Sequence, residues 1–244
     1  VTEGQLFELS ANTSQGFVLQ AETQEDTPAG EYTADLEVFD SAGNQIKKAT
    51  VFLHVWDFVL SDDSACRTAM WIEAARLPGG GDEETYKLYY DYLLDNRVNA
   101  YDLPYALDDA RVDEYLNDER VNSFNILGFK VNRESGYTET ALKTMMRAAY
   151  DKLSANEEWF EKGYFYLVDE PNPSEIQKLG WIAEYGTWLE ECYPGYKQMS
   201  PFFTDRWYDN AHTQDWIEYL RPYINIWVPK TFAYTTLREY GSST

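Results

Sequence analysis

Gly163-Tyr164-Phe165-Tyr166-Leu167-Val168-Asp169-Glu170-Pro171 decides how the chain is read. The run from Gly163 to Val168 carries no charge and is the strongest buried-strand signal in the sequence. Pro171 stops the strand, because proline has no N–H to give to the ladder. Asp169 and Glu170 stand between the apolar run and that stop. In a parallel α/β sheet, ligands bind beyond the C-terminal ends of the strands, which is where these two carboxylates fall. A regular strand would point them to opposite faces. At the rim the chain is already turning, so both can reach one cavity. Neighbouring carboxylates resist ionising together, so one is pushed up and can act as a general acid. The competing reading of the same residues is a helix N-terminus, where negative charge is favourable.

Outward from this segment, strands and helices alternate. Ala65–Ile72, Asn99–Leu103, Ser123–Phe129, Gln198–Phe203 and Ile224–Val228 read as further strands. Between them Glu83–Asn96 is amphipathic, with Tyr86, Tyr89, Tyr90, Leu93 and Leu94 near helical spacing. Asp113–Asn117 allows a brief helix, and Thr138 opens a helix to Leu153. Ser174 caps one running to about Cys192, and Asp215–Leu220 is the last. Regular alternation predicts a parallel sheet with helices outside it. A strand–helix–strand unit takes about 30 residues and an eight-stranded barrel about 250. Residues 61–244 therefore hold about six units, either an open sheet or a barrel that is incomplete at the C-terminus.

Residues 1–60 have a different character. Glu31–Phe39 alternates apolar and polar residues with a period of two, and Thr27-Pro28-Ala29-Gly30 and Ser41-Ala42-Gly43-Asn44 flank it with turn chemistry. Ala49–Trp56 is a second strand and Gly16–Ala21 a weaker third. Short strands joined by turns predict part of an antiparallel sandwich, which usually needs about 100 residues. The expected organisation is thus the C-terminal part of a β-sandwich over 1–60, then a (β/α) barrel domain over 61–244.

Composition narrows the chemistry. The 244 residues carry 20 Lys+Arg against 42 Asp+Glu, a formal net charge of −22. Such a surface repels phosphate backbones and anionic bilayers, which argues against a nucleic-acid or membrane-surface partner. No apolar run reaches the roughly 20 residues of a membrane span. Two cysteines far apart, Cys66 and Cys192, exclude a disulfide framework and read as buried thiols; two histidines, His54 and His212, exclude a histidine-rich metal site. His54 reads as a packed strand residue and His212 as a loop residue. No phosphate-binding glycine loop, dinucleotide fingerprint, nucleophile elbow or HExxH is present, and Pro78-Gly79-Gly80-Gly81 lacks the lysine and hydroxyl of a phosphate cradle. No cofactor and no metal are expected, and acid–base work falls to carboxylates and tyrosines.

The other strand ends supply polar and aromatic groups: Asp102, Pro104 and Tyr105; Lys130 and Asn132; Thr204 to Tyr208, including Asp205 and Trp207; and Trp227, Pro229 and Lys230. Rings beside carboxylates suit sugars, whose C–H faces pack on the rings while their hydroxyls bond polar side chains. Tyr105, Asp205, Trp207 and Trp227 are the candidate sugar contacts. Among eight Trp and 20 Tyr, most rings fill core, and that is the competing reading of each.

Three stretches in order resemble glycoside hydrolase family 123 and its bacterial relatives. Glu25-Asp26-Thr27-Pro28-Ala29-Gly30-Glu31-Tyr32 is similar to the proline–small–glycine–x–tyrosine turn of their sandwich. Leu53-His54-Val55-Trp56-Asp57-Phe58-Val59-Leu60 resembles the last sandwich strand leading into the barrel, and Tyr164 to Pro171 the fourth barrel strand with its catalytic Asp-Glu pair. The resemblance implies a sandwich followed by a (β/α)8 barrel, and removal of a terminal β-linked N-acetylhexosamine, N-acetylgalactosamine above all. It implies a retaining mechanism assisted by the sugar's own acetamido group, outside the usual two-carboxylate scheme. Glu170 would then be the acid/base and Asp169 the group that orients the acetamide. Glycan substrates imply a secreted, periplasmic or cell-surface location, although the sequence itself carries no address and no signal of oligomeric state. The alternatives are a non-catalytic glycan-binding or assembly module, and a two-carboxylate glycosidase in which a distant Asp205 partners Glu170.

Overall fold

The alternation of Glu31–Phe39 closes a hairpin. In the computed structural model, which describes residues 7–61, 64–171, 175–202 and 213–230, β1 (Gly30–Phe39) pairs antiparallel with β2 (Gln45–Val55). The register runs from Gly30 opposite Val55 to Phe39 opposite Gln45, with an irregularity at Val38/Phe39. The turn is held by Asp40, whose Oδ1 accepts from the N–H groups of Ala42 at 2.9 Å and Asn44 at 2.8 Å. One face collects Leu36, Val38, Val51, Leu53 and Val55, all half-buried. The other pairs Lys48 Nζ with Asp35 at 2.7 Å and His54 with Glu31.

The chain divides into two compact units, Val1–Ser61 and Asp62–Thr244. In the first, residues 16–21 form no strand, so the expected third strand is corrected; Val18 and Leu19 of that stretch are exposed rather than set against a sheet. No described residue of this unit is buried. His54 is exposed and stacks edge-on against Trp56 at 4.7 Å, not packed in a core. Two antiparallel strands are what the described residues show here, and a lone hairpin is marginal in water.

In the second unit β3 (Phe124–Asn125), β4 (Gly163–Tyr166), β5 (Gln198–Phe202) and β6 (Ile226–Pro229) form a parallel sheet in the order β3-β4-β5-β6. Two earlier segments continue it. Met70 bridges Ala100 in parallel; the Met70 N–H donates to Asn99 O at 2.9 Å and the Tyr101 N–H to Met70 O at 3.1 Å. The Asn125 N–H then donates to Tyr101 O at 2.6 Å. Spatial order follows chain order throughout, as in the wall of a (β/α) barrel; a doubly wound sheet reverses its order part-way. The strands are shorter than their apolar runs, and the expected strand at Ala65–Ile72 reduces to the bridge at Met70.

The helices are α1 (Glu83–Asp95), α2 (Val112–Leu116), α3 (Glu139–Leu153), α4 (Glu157–Lys162), α5 (Ile176–Cys192) and α6 (Thr213–Leu220). Side-chain caps fix several starts: Asp82 accepts from the Thr85 N–H at 2.8 Å and Thr138 Oγ1 from the Ala141 N–H at 3.3 Å. Asn156 does the same for α4, a helix the periodicity is too short to reveal. Ser174 lies outside the described residues. Cys192 is buried on α5, whereas Cys66 is exposed and so departs from the expected buried thiol.

Strand alternation sorts the apolar residues into two clusters. The larger lies on the helix side and includes Phe124, Phe165, Leu142, Met146 and Leu189. The smaller, on the other face, joins Tyr101, Tyr164, Tyr166 and Met199, with Phe129 and Ile226 against it. Register explains the grouping, since Tyr166 lies beside Met199 and Met199 beside Ile226.

Candidate functional site

Tyr164 and Tyr166 share a face because strand side chains alternate. From that face the Tyr166 hydroxyl donates to Asp169 Oδ1 at 2.5 Å. Asp169 is half-buried just past the end of β4 and is thereby oriented toward the tyrosine cluster. Burial first, and the Asp169 carboxylate second, push the Tyr166 hydroxyl far above its ordinary value, so it stays a donor.

Glu170 follows with φ +39°, a left-handed backbone that an L side chain adopts only at a cost of about 1–3 kcal/mol. The residue is accessible to solvent. Its carboxyl nonetheless lies above the ordinary glutamate value, first through partial burial and then through the Asp169 charge. Lys230 and Lys178 act in the opposite direction. Lys178 is itself paired with Glu134 at 2.9 Å. The next helix, α5, begins at Ile176, with Glu175 as its cap residue. Asp169 and Glu170 therefore belong to the strand end and not to the first turn of that helix.

A second carboxylate network supports the rim. Asp102 follows the second strand segment; its carboxylate accepts from the Phe129 N–H at 2.9 and 3.1 Å and from Asn125 Nδ2 at 3.2 Å. Asn125 Oδ1 in turn accepts the Tyr166 N–H at 3.1 Å. Burial pushes the Asp102 carboxyl up, partly offset by those hydrogen bonds. Asp102 thus ties the ends of three neighbouring strands together through Asn125 and the Gly128–Phe129 turn. Rings fill the space between: Phe129 lies 5.2 Å from Tyr166 and 5.4 Å from Tyr101, and Tyr101 lies 5.7 Å from Tyr166.

Two cavities open at this end. One, of about 580 Å³, is lined by residues such as Trp71, Glu73, Asp102, Phe129 and Lys130. The other, of about 630 Å³, runs between Asp102, Tyr105 and the α3 residues Met145 and Ala149. Neither lining includes Asp169 or Glu170; the link is through Phe129, whose ring faces Tyr166.

The expected sugar contacts distribute unevenly. Tyr105 is half-buried on the loop after the second strand, under the Arg111 guanidinium at 4.1 Å and 5.9 Å from Tyr115. It lines the α3-side cavity and is not brought to the carboxylate pair. Trp227 stacks on Phe202 at 5.1 Å and packs against the helix-side cluster. Asp205 and Trp207, like His212, lie outside the described residues. Sequence reasoning passed over Tyr166 and Asn125. The period of two from Tyr164 to Tyr166 to the rim was the available signal for the first; nothing marked the second.

Among the described residues no group of three or more His, Cys, Asp or Glu is placed to hold a metal ion, and no helix is long and apolar enough to cross a membrane. No protein-family model matches the chain, and no curated protein sequence matches it.

Proposed function

We propose that the chain is a glycoside hydrolase that removes a terminal β-linked N-acetylhexosamine, N-acetylgalactosamine favoured, by a retaining mechanism assisted by the substrate's acetamido group. The parallel strands are read as most of a (β/α)8 barrel wall and the hairpin as the closing part of a sandwich. One observation carries the reading: adjacent carboxylates beyond β4 occupy unequal environments. Asp169 is half-buried and fixed by the Tyr166 hydroxyl, while Glu170 is accessible and pushed up. That is the division of labour the chemistry needs. The left-handed backbone at Glu170 adds to it, since such strain gathers at functional sites.

In the first step the acetamido oxygen attacks the anomeric carbon as its bond to the leaving oxygen breaks. Glu170 gives its proton to that oxygen. Asp169 accepts the acetamido N–H, orients the group and balances the positive charge that grows on the ring it forms. In the second step Glu170, now a carboxylate, takes a proton from water. The water oxygen bonds to the anomeric carbon, the bond to the acetamido oxygen breaks, and the β configuration is restored. Tyr166 holds Asp169 through both steps. A substrate of this kind places the protein outside the cytoplasm, in the secreted, periplasmic or cell-surface space.

A screen of 4-nitrophenyl β-glycosides tests the proposal. The N-acetyl-β-hexosaminides are expected to be cleaved by the native chain and not by Glu170→Gln at equal folded content, judged by circular dichroism. Equal cleavage by both would remove Glu170 from the mechanism.

A further inference from the structure

We propose that the cavity of about 580 Å³ beside the first three strand ends is the subsite for a neutral sugar unit on the leaving-group side of the scissile bond, with Trp71 as its stacking platform. The inference rests on the hydrolase reading and names where the rest of the glycan lies.

Placement comes first. The strands follow chain order, so the ends at Met70, Tyr101 and Asn125 all fall on one side of β4 and its Asp169. Phe129 belongs to the cavity wall, and its ring stands 5.2 Å from Tyr166, the residue that holds Asp169. Two rings in series, Phe129 and Tyr166, therefore connect the cavity wall to Asp169. The α3-side cavity lacks Phe129 in its lining and instead meets Met145 and Ala149.

The lining has the chemistry of a saccharide site. Trp71 is 55 % exposed, with its ring 5.9 Å from Phe129 at 49°. A large ring left in solvent at a cavity mouth presents a flat apolar face to sugar C–H groups. Glu73 and Lys130 in the same wall offer an acceptor and a donor for hydroxyls. Glu73 and Glu83 of this wall are paired with Arg76 and Arg111, so the selection against charge comes from the chain as a whole, at −22. Sialylated, sulfated or uronic units are disfavoured there by like charge, which selects a neutral one. The opposite wall is built tightly. Gly81 has φ +67°, and a Cβ there would come within 2.2 Å of Ala74 O, so the Pro78–Gly81 turn closes against Ala74 only with glycine in place.

The test measures binding separately from turnover. In a Glu170→Gln background, the β-1,4-linked disaccharide of N-acetylgalactosamine and galactose is titrated by calorimetry with and without Trp71→Ala. Tyr92→Ala, an exposed ring on α1, serves as control. The expected result is binding that Trp71→Ala weakens about tenfold while Tyr92→Ala leaves it unchanged. In the native background Trp71→Ala should lower kcat/KM for the disaccharide about tenfold, while Tyr92→Ala leaves it unchanged. Disaccharide binding that is absent, or the same in both Trp71 forms, overturns the subsite. Failure of the hydrolase reading shows differently, as no turnover of any aryl glycoside by the native chain.

Discussion

At Glu170 two pressures act on one carboxyl: partial burial and the neighbouring Asp169 charge both favour its protonated form. A general acid loses competence when it ionises, so kcat/KM should fall as pH rises through a value above that of an ordinary glutamate. Asp169→Asn should move that limb to lower pH and cut activity sharply, because a neutral amide no longer balances the positive charge that grows on the acetamido group. Tyr166→Phe removes the 2.5 Å hydrogen bond to Asp169 and should lower kcat about tenfold, the scale of one charge-assisted hydrogen bond, with KM nearly unchanged. Steady-state kinetics at several pH values check all three. Asp102 calls for a stability measurement instead. Its carboxyl is raised from 3.8 in the folded state, so the folded chain binds the extra proton between 3.8 and the raised value. Its contribution is present below that window and is lost as pH rises through it. Asp102→Asn should lack that loss in urea titrations across the window, whatever its absolute stability. The Asp-Glu pair could be read from sequence because proline and an apolar run fixed its place at a strand end. The network behind it could not: Asn125 accepts the Tyr166 N–H from the next strand and donates to Asp102, and Phe129 reaches Asp102 through its backbone N–H; neither relation leaves a local pattern.

The longer helices were legible, since α1 and α3 have both periodicity and a cap residue, Asp82 and Thr138, one position ahead. Strands were legible as positions rather than lengths. Val168, for example, extends the apolar run of β4 but is buried beyond the last ladder residue, Tyr166. Close approach is another property hidden from pattern. Gly186 sits in the middle of α5, where a Cβ would stand 2.5 Å from Tyr223 Cδ1. Glycine lowers helix propensity by about 1 kcal/mol relative to alanine, so on the helix alone Gly186→Ala would stabilise. The clash with the Tyr223 ring opposes this, and overpacking typically costs about 1–3 kcal/mol. The expected net effect is a lower midpoint in urea unfolding. Gly180 of the same helix is half-buried, but a Cβ there would meet nothing within 4 Å, and Gly180→Ala should raise the midpoint.

For the whole molecule, two units with unlike interiors should differ in protection. No described residue of the first unit is buried, whereas the second holds both apolar clusters. Amide exchange is expected to be fast throughout β1 and β2 and slowest in β4 and β5. The change of character near residue 60 was plain in the sequence because the hydrophobic period itself changes there. That residues 16–21 stay unpaired was not, since a strand's partner is a tertiary fact. The account rests on a substrate that supplies its own nucleophile, and one comparison tests this most directly. Initial rates are measured on 4-nitrophenyl N-acetyl-β-D-galactosaminide and on the matching β-D-galactoside, which lacks the 2-acetamido group. The account predicts cleavage of the first, lost in Glu170→Gln, and essentially none of the second. Comparable rates on both sugars would contradict it.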